Sequence, residues 1–264
     1  MSTLKVDGAA LHHEVVGSGP VLLLIPGGPA DAHAFDGFRE VLAERYTVVT
    51  YDPRGLSRSP LDGPPEPVTP ERFAEDALAL LDAVGDGPAY VVGSSGGALV
   101  GLDLLARHPD RVRALVAHEP PASGVLADAD AVSDKVLATY ASSGVGPAMG
   151  VFLTETGLAE SAERMPQPPP EAMAAMMANL EFFLGSMMRP MREHRVDVDA
   201  LRTLPFVIGV GEDSDGQLAH RTSVALAERL DVKPVAFPGD HGGFTARPEE
   251  FTRRLVEAFA SVER

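Results

Sequence analysis

The sequence predicts an α/β fold: a mostly parallel, doubly wound sheet with a helical cap inserted late in the chain. Three observations carry that prediction. Strand-like and helix-like stretches alternate over residues 10–120, the alternation resumes near residue 205, and residues 121–200 show helix-period patterns with no strand between them. Strands joined through helices of 10 to 15 residues require crossovers, and crossovers give parallel strands covered on both faces.

Leu11 to Val16 and Val21 to Ile25 read as short strands, and the Gly17-Ser18-Gly19-Pro20 turn between them predicts a hairpin. Ala34 to Arg45 carries Phe35, Phe38, Val41 and Leu42 at helical spacing. Tyr46 to Tyr51 is β-branched and aromatic, which suits a buried strand. A helix starts at Thr69-Pro70-Glu71, where Thr69 can cap, Pro70 suits the first turn and Glu71 complements the dipole. Its apolar face, Phe73, Ala77, Leu80, Leu81 and Val84, stops at Gly85. Ala89 to Val92 is the next strand, Ala98 to Arg107 the next helix and Val112 to Ala117 the next strand. Late in the chain come a strand over Phe206 to Val210, a helix over Gln217 to Leu230, a strand over Val232 to Phe237 and a terminal helix over Pro248 to Val262.

The expected division is a core of residues 1–120 and 201–264 around a cap of residues 121–200. The cap holds eight of the nine methionines and the run Pro166-Gln167-Pro168-Pro169-Pro170. Met149, Met173, Met176, Met177, Met187, Met188 and Met191 either fill irregular core gaps or wall an apolar, adaptable pocket above a site on the sheet.

Composition removes several functions. A formal charge of −16 argues against unassisted binding to nucleic acid or an anionic membrane. With no cysteine there is no disulfide, thiolate zinc site, iron–sulfur cluster or cysteine nucleophile. The longest aliphatic run, Val21 to Ile25, is far short of the ~20 residues that span a bilayer. The first residues lack the layout of a signal peptide, so a cytoplasmic location is expected. No metal-ligand motif, dinucleotide fingerprint or phosphate loop is present, and no cofactor is expected.

The strongest chemical signal is Gly93-Ser94-Ser95-Gly96-Gly97, a G-x-S-x-G string that follows a strand and opens a helix. Ser95 must turn sharply there, small neighbours leave room, and the helix N-terminus faces any developing anion. Ile25-Pro26-Gly27-Gly28-Pro29 follows another strand. An oxyanion hole needs two converging backbone donors, and the N–H groups of Gly28 and Gly96 are the candidates, since Pro29 has none. Of eight histidines, His241 is the expected base, because Pro238-Gly239-Asp240-His241-Gly242-Gly243 forms a glycine-rich loop after the last strand. His33 stands close behind the Gly27-Gly28 loop and could line the pocket, while His12, His13, His108, His194 and His220 take surface or structural roles by default.

Together with Tyr51-Asp52-Pro53-Arg54-Gly55-Leu56-Ser57-Arg58-Ser59, a D-x-R-G-x-G-x-S-like turn in which Ser57 replaces the usual glycine, these features resemble the α/β-hydrolase fold family, in its serine-nucleophile branch. The resemblance covers roughly residues 10–120 and 205–262, and implies the chain order Ser, acid, His. Pro26 stands where many members have a histidine. In most members the acid follows the strand corresponding to Phe206–Val210 in a G-x-x-D spacing, which here falls on Ser214, with Asp213 and Asp215 each one residue off. Some branches place a glutamate at the end of the preceding strand, where this chain has Glu119 in His118-Glu119-Pro120-Pro121. Glu119 is favoured, with Asp213 next and Asp215 third.

The implied activity is hydrolysis of an ester, lactone or thioester of a mainly apolar small molecule through an acyl-enzyme. Serine at the elbow argues against the aspartate-nucleophile epoxide hydrolases and haloalkane dehalogenases of this fold. A carbon–carbon hydrolase, a cofactor-independent lyase or cyclase, and a non-catalytic ligand receptor are the alternatives. Oligomeric state is not legible.

Overall fold

The computed structural model describes residues 2–164 and 169–263. Met165 and Pro166 to Pro168 of the proline run lie outside the described residues. Eight strands form one sheet: β1 (Ser2–Val6), β2 (Ala9–Val16), β3 (Val21–Ile25), β4 (Thr47–Tyr51), β5 (Ala89–Ser94), β6 (Val112–His118), β7 (Phe206–Gly211) and β8 (Val235–Phe237). Their spatial order is β1-β2-β4-β3-β5-β6-β7-β8, with β1 and β2 antiparallel to their neighbours and the rest parallel.

The strand run Leu22-Leu23-Leu24-Ile25 shows how the sequence builds two layers. Successive side chains point to opposite faces. Leu23 and Ile25 join the cluster that holds Leu80 and Leu81 of α2 (Pro70–Val84), Leu99 and Leu102 of α3 (Gly96–Arg107) and Leu226. Leu22 and Leu24 join the opposite cluster, with Phe38 and Leu42 of α1 (Asp36–Leu42) and the terminal-helix residues Phe251, Leu255 and Phe259. A strand buried on both sides reads as a continuous apolar run, as β3 does.

Between β6 and β7 the elements among the described residues are all helical: α4 (Ala127–Ser143), α5 (Val145–Thr156), α6 (Ala159–Arg164), α7 (Pro170–Phe182), a π-helical stretch over Phe183–Met187, α8 (Met188–Glu193) and α9 (Val198–Leu201). After β7 come α10 (Leu218–Leu230), α11 (Gly243–Ala246) and α12 (Pro248–Val262).

Three expectations need correction. β2 and β3 do not form a hairpin, because β4 lies between them: β2 pairs antiparallel with β4 and β3 pairs parallel with it. The hairpin is β1–β2, turned at Asp7-Gly8 with Gly8 at φ +76°, and β1 was not foreseen. Three of its five residues are exposed and the other two, Leu4 and Val6, only half-buried, so an edge strand of this kind leaves a weak apolar signature. The helix expected over Ala34–Arg45 divides into a 3₁₀ turn, Ala32–Phe35, and the shorter α1, and β8 is confined to three residues. The helix after Thr69 begins as expected: Thr69 accepts from the Arg72 N–H and Pro70 occupies the first turn.

The Tyr51–Ser59 string is structural. Arg54 makes a buried ion pair with Asp76, and Asp52 pairs with Arg58 while accepting from the Ala32 N–H. Ser57, at φ +46°, donates its N–H to Asn179 of α7, and Asn179 Nδ2 donates to the Pro29 carbonyl and to Ser57 Oγ. One amide thus ties α7 to two core loops.

Candidate active site

Ser95 sits where β5 gives way to α3, with φ +55° and ψ −123°. A non-glycine residue held in that region carries strain that surrounding packing must enforce. Here the enforcing contacts are backbone ones. A Cβ on Gly93 would lie 2.2 Å from the Gly97 carbonyl oxygen, and one on Gly97 would lie 2.2 Å from the Ile25 oxygen. The Ser95 N–H donates to the His118 carbonyl at 2.8 Å, and its hydroxyl caps no helix.

The Gly27-Gly28 turn packs directly against this bend. A Cβ on Gly27 would fall 2.7 Å from Ser95 Cβ and 3.0 Å from Gly96 N. A Cβ on Gly96 would fall 3.5 Å from Gly28 N. The two amides proposed from the sequence as anion donors therefore lie side by side, with Gly96 in the first turn of α3.

His241 follows β8 on the expected loop, and its Nδ1 lies 2.6 Å from Glu119 Oε2. Glu119 is fully buried, at φ +51°, one residue beyond β6. Its Oε1 accepts from the Gly211 N–H at 2.9 Å and from the Ser214 hydroxyl. Burial alone would raise the Glu119 carboxyl, but the hydrogen bond and charge of His241, with the Ser214 hydroxyl, outweigh it and hold the pKa at about 2. Glu119 is thus a carboxylate throughout the physiological range.

The other acid candidates lie elsewhere. Asp213 is exposed and hydrogen-bonded to Arg247, and Asp215 is exposed. His33 is also exposed, bonded to Asp36, and does not line the cavity. His118, unassigned by the sequence reading, stacks on His241 with ring centroids 6.4 Å apart and packs edge-on against Phe237 and Phe251. Burial in this aromatic cage pulls its pKa down to about 4, so it stays neutral.

Gly28, Ser95, Gly96 and His241 share one cavity, walled by Val132, Phe152, Leu158, Phe183, Met188, Met191 and Leu218. A smaller one lies against it, sharing Gly28, Gly96, Phe183 and Met191 and reaching Tyr51, Phe73 and Met187. Only some of the methionines take one of the two roles considered for them, and three take neither. Met188 and Met191 line the larger cavity, whereas Met173, Met176 and Met177 are exposed along α7. Apart from this site, Glu71, Asp103 and His194 offer ligand atoms within 4.8 Å of one another, a grouping that could hold a metal ion. His194 presents Nδ1 to Glu71 and Nε2 to Asp103, the arrangement of a ring bridging two carboxylates.

Comparison with known proteins gives the family. A sequence pattern for the alpha/beta hydrolase fold matches residues 20–143. A Bacillus subtilis (strain 168) protein named "Uncharacterized hydrolase YraK" is 34% identical, over 96% of this chain and 93% of its own length. This chain belongs to the α/β-hydrolase fold family. It is a hydrolase of that family, and two further likenesses agree. A "Zearalenone hydrolase" of Bionectria ochroleuca is 28% identical over 95% of this chain and 94% of its own. A solved hydrolase from Pseudomonas aeruginosa PA01 superposes with a TM-score of 0.77 at 26% identity, covering 97% of both chains. No helix among the described residues of this α/β-hydrolase is long and apolar enough to cross a membrane.

Proposed function

We propose that this α/β-hydrolase cleaves an ester, lactone or related acyl bond of a mainly apolar small molecule, with Ser95 as nucleophile, His241 as base and Glu119 as the orienting acid. The observation that carries the reading is the 2.6 Å contact of buried Glu119 with His241 beside a cavity that both His241 and Ser95 line.

The mechanism follows from the geometry. Glu119 fixes the proton of His241 on Nδ1, leaving Nε2 as the acceptor for the Ser95 proton. The Ser95 oxygen attacks the acyl carbon, and negative charge gathers on the former carbonyl oxygen near the Gly28 and Gly96 N–H groups. His241 returns the proton to the leaving alcohol. Water, activated by the same histidine, then cleaves the acyl-enzyme. Residues 121–200 act as a cap: Val132, Phe152, Met188 and Met191 come from that stretch and close the cavity over the sheet. Its apolar walls favour apolar acyl or alcohol groups. The zearalenone hydrolase relative, named for a hydrolysis, agrees with cleavage chemistry.

Turnover of p-nitrophenyl esters of graded acyl length tests the reading. The expected result is hydrolysis with a chain-length optimum, lost in Ser95→Ala while the fold persists. Full turnover by Ser95→Ala would remove the nucleophile from the scheme.

A further inference from the structure

Ser214 occupies the position three residues past Gly211 where the resemblance would put an acid, yet its hydroxyl is fully buried and committed. It donates to Glu119 Oε1 and lies 3.0 Å from the Gly211 carbonyl oxygen and 3.1 Å from His220 Nδ1. A hydroxyl has one proton, and among these neighbours the ionised carboxylate is the strongest acceptor. With that proton spent on Glu119, the contact with His220 is satisfied when His220 Nδ1 carries a proton and donates to Ser214 Oγ. His220 Nδ1 also stands 3.9 Å from Glu119 Oε1, and the ring is only partly buried, on α10.

We infer that Ser214 and His220 are positioning residues: a second arm, running His220 to Ser214 to Glu119 Oε1, that holds the carboxylate against His241. This inference rests on the proposed roles of Ser95, His241 and Glu119. It explains why a buried serine stands in the register of an acid. The carboxylate has two oxygens, and each is held by a different side of the molecule. Oε2 faces the loop after β8, and Oε1 faces the loop after β7 and α10. His241 and His118 are the other titratable groups around Glu119.

The arm has two effects that can be measured separately. Orientation of the carboxylate sets kcat on the pH plateau. Charge withdrawn by the Ser214 donor weakens the pull of Glu119 on the His241 proton, which sets where the acid limb of kcat/KM falls. Losing a hydrogen bond to a charged group corresponds to about tenfold to a hundredfold in rate.

The test uses Ser214→Ala, His220→Leu and His220→Asn, assayed on one p-nitrophenyl ester across pH, with Ser95→Ala as reference. The expected result is a kcat lowered about tenfold to a hundredfold in Ser214→Ala with KM unchanged and the acid limb moved to higher pH. His220→Leu moves kcat and limb in the same directions by less. His220→Asn, whose amide donor can replace Nδ1–H, restores both. Native kcat and an unmoved limb in Ser214→Ala and His220→Leu overturn the inference, as does loss of activity that tracks only loss of folded protein. If Ser95→Ala stays active, the underlying reading of the site fails instead, which keeps the two failures distinct.

Discussion

Replacing Glu119 by glutamine leaves the shape of the site and removes its charge. The native carboxylate meets His241 Nδ1 at 2.6 Å and is fully buried, so in the proposed mechanism it stabilises the imidazolium that forms when Ser95 gives up its proton. Two unit charges about 4 Å apart at an effective dielectric of ~20 interact by about 4 kcal/mol, or about a thousandfold in rate at 1.36 kcal/mol per factor of ten. Geometry adds to this. The glutamine oxygen takes the place that accepts from Gly211 N–H and Ser214, so the NH₂ group faces His241 Nδ1. A donor there demands the tautomer protonated on Nε2, which cannot accept from Ser95. The expected fall in kcat is between about a thousandfold and ten-thousandfold, with KM little changed. Steady-state hydrolysis of p-nitrophenyl butyrate measures it, with a melting curve to show that the variant is folded. A Glu119→Gln enzyme within tenfold of the native rate would refute the argument, and a crippled Asp213→Asn would redirect it.

Other outcomes follow from the same structure. Gly27→Ala places a methyl 2.4 Å from the Ser94 carbonyl oxygen and 2.7 Å from Ser95 Cβ, so kcat should drop by about a hundredfold or more. Gly28→Ala, whose Cβ meets nothing closer than Phe183 at 4.0 Å, should cost the ~1–2 kcal/mol strain of its φ of +55° in the melting curve and lower kcat far less than Gly27→Ala does. Equal damage from the two would contradict this. Phe183 lines both cavities, and Phe183→Ala should join them and move the optimum of an ester panel to longer chains; an unchanged optimum argues against the shared wall. His118 takes up a proton at about pH 4 when folded and near the ordinary ~6.5 when unfolded. Its contribution is therefore complete above ~6.5 and declines as pH falls towards ~4, by on the order of 2 kcal/mol between about pH 7 and pH 5. Urea unfolding at those two pH values should show that loss in the native protein and less of it in His118→Phe.

The sequence made visible those parts whose physics is local. The helix after Thr69 declares its cap, its first-turn proline and its terminating glycine within a few residues. β3 and β5 are buried on both faces and so read as apolar runs. The bend at Ser95 is legible because backbone crowding there tolerates only small neighbours. Pairing between strands was harder. β2 and β3 are consecutive and share a glycine-rich turn, yet the chain passes through α1 before β4 returns between them, and no local pattern records that crossover. β1 gains its place from backbone pairing with β2 at the sheet edge and from only two half-buried apolar side chains, Leu4 and Val6, too short a pattern to read as a strand.

The candidate site divides in the same way. Glu119 stood out as a carboxylate ending an apolar strand, since burial without a partner would be costly. Its partners come from residues roughly a hundred positions away in sequence, beyond the reach of any local pattern. Ser214 gave one usable signal, its register after Gly211, whereas His220 gave none, being one polar residue on a helix that carries both exposed polar positions, such as Arg221 and Glu228, and buried ones, Thr222 and Ser223. His118 was hidden for the opposite reason. It ends β6 like an apolar residue and is buried like one, among Phe237, Phe244 and Phe251.

Labelling with a fluorophosphonate tests the central claim most directly, because it asks whether the Ser95 oxygen is a nucleophile. The account predicts one adduct per chain, located by peptide mass spectrometry on Ser95, absent in Ser95→Ala and much slower in His241→Gln. A native protein that takes up no label, or carries it on another residue, would contradict the account.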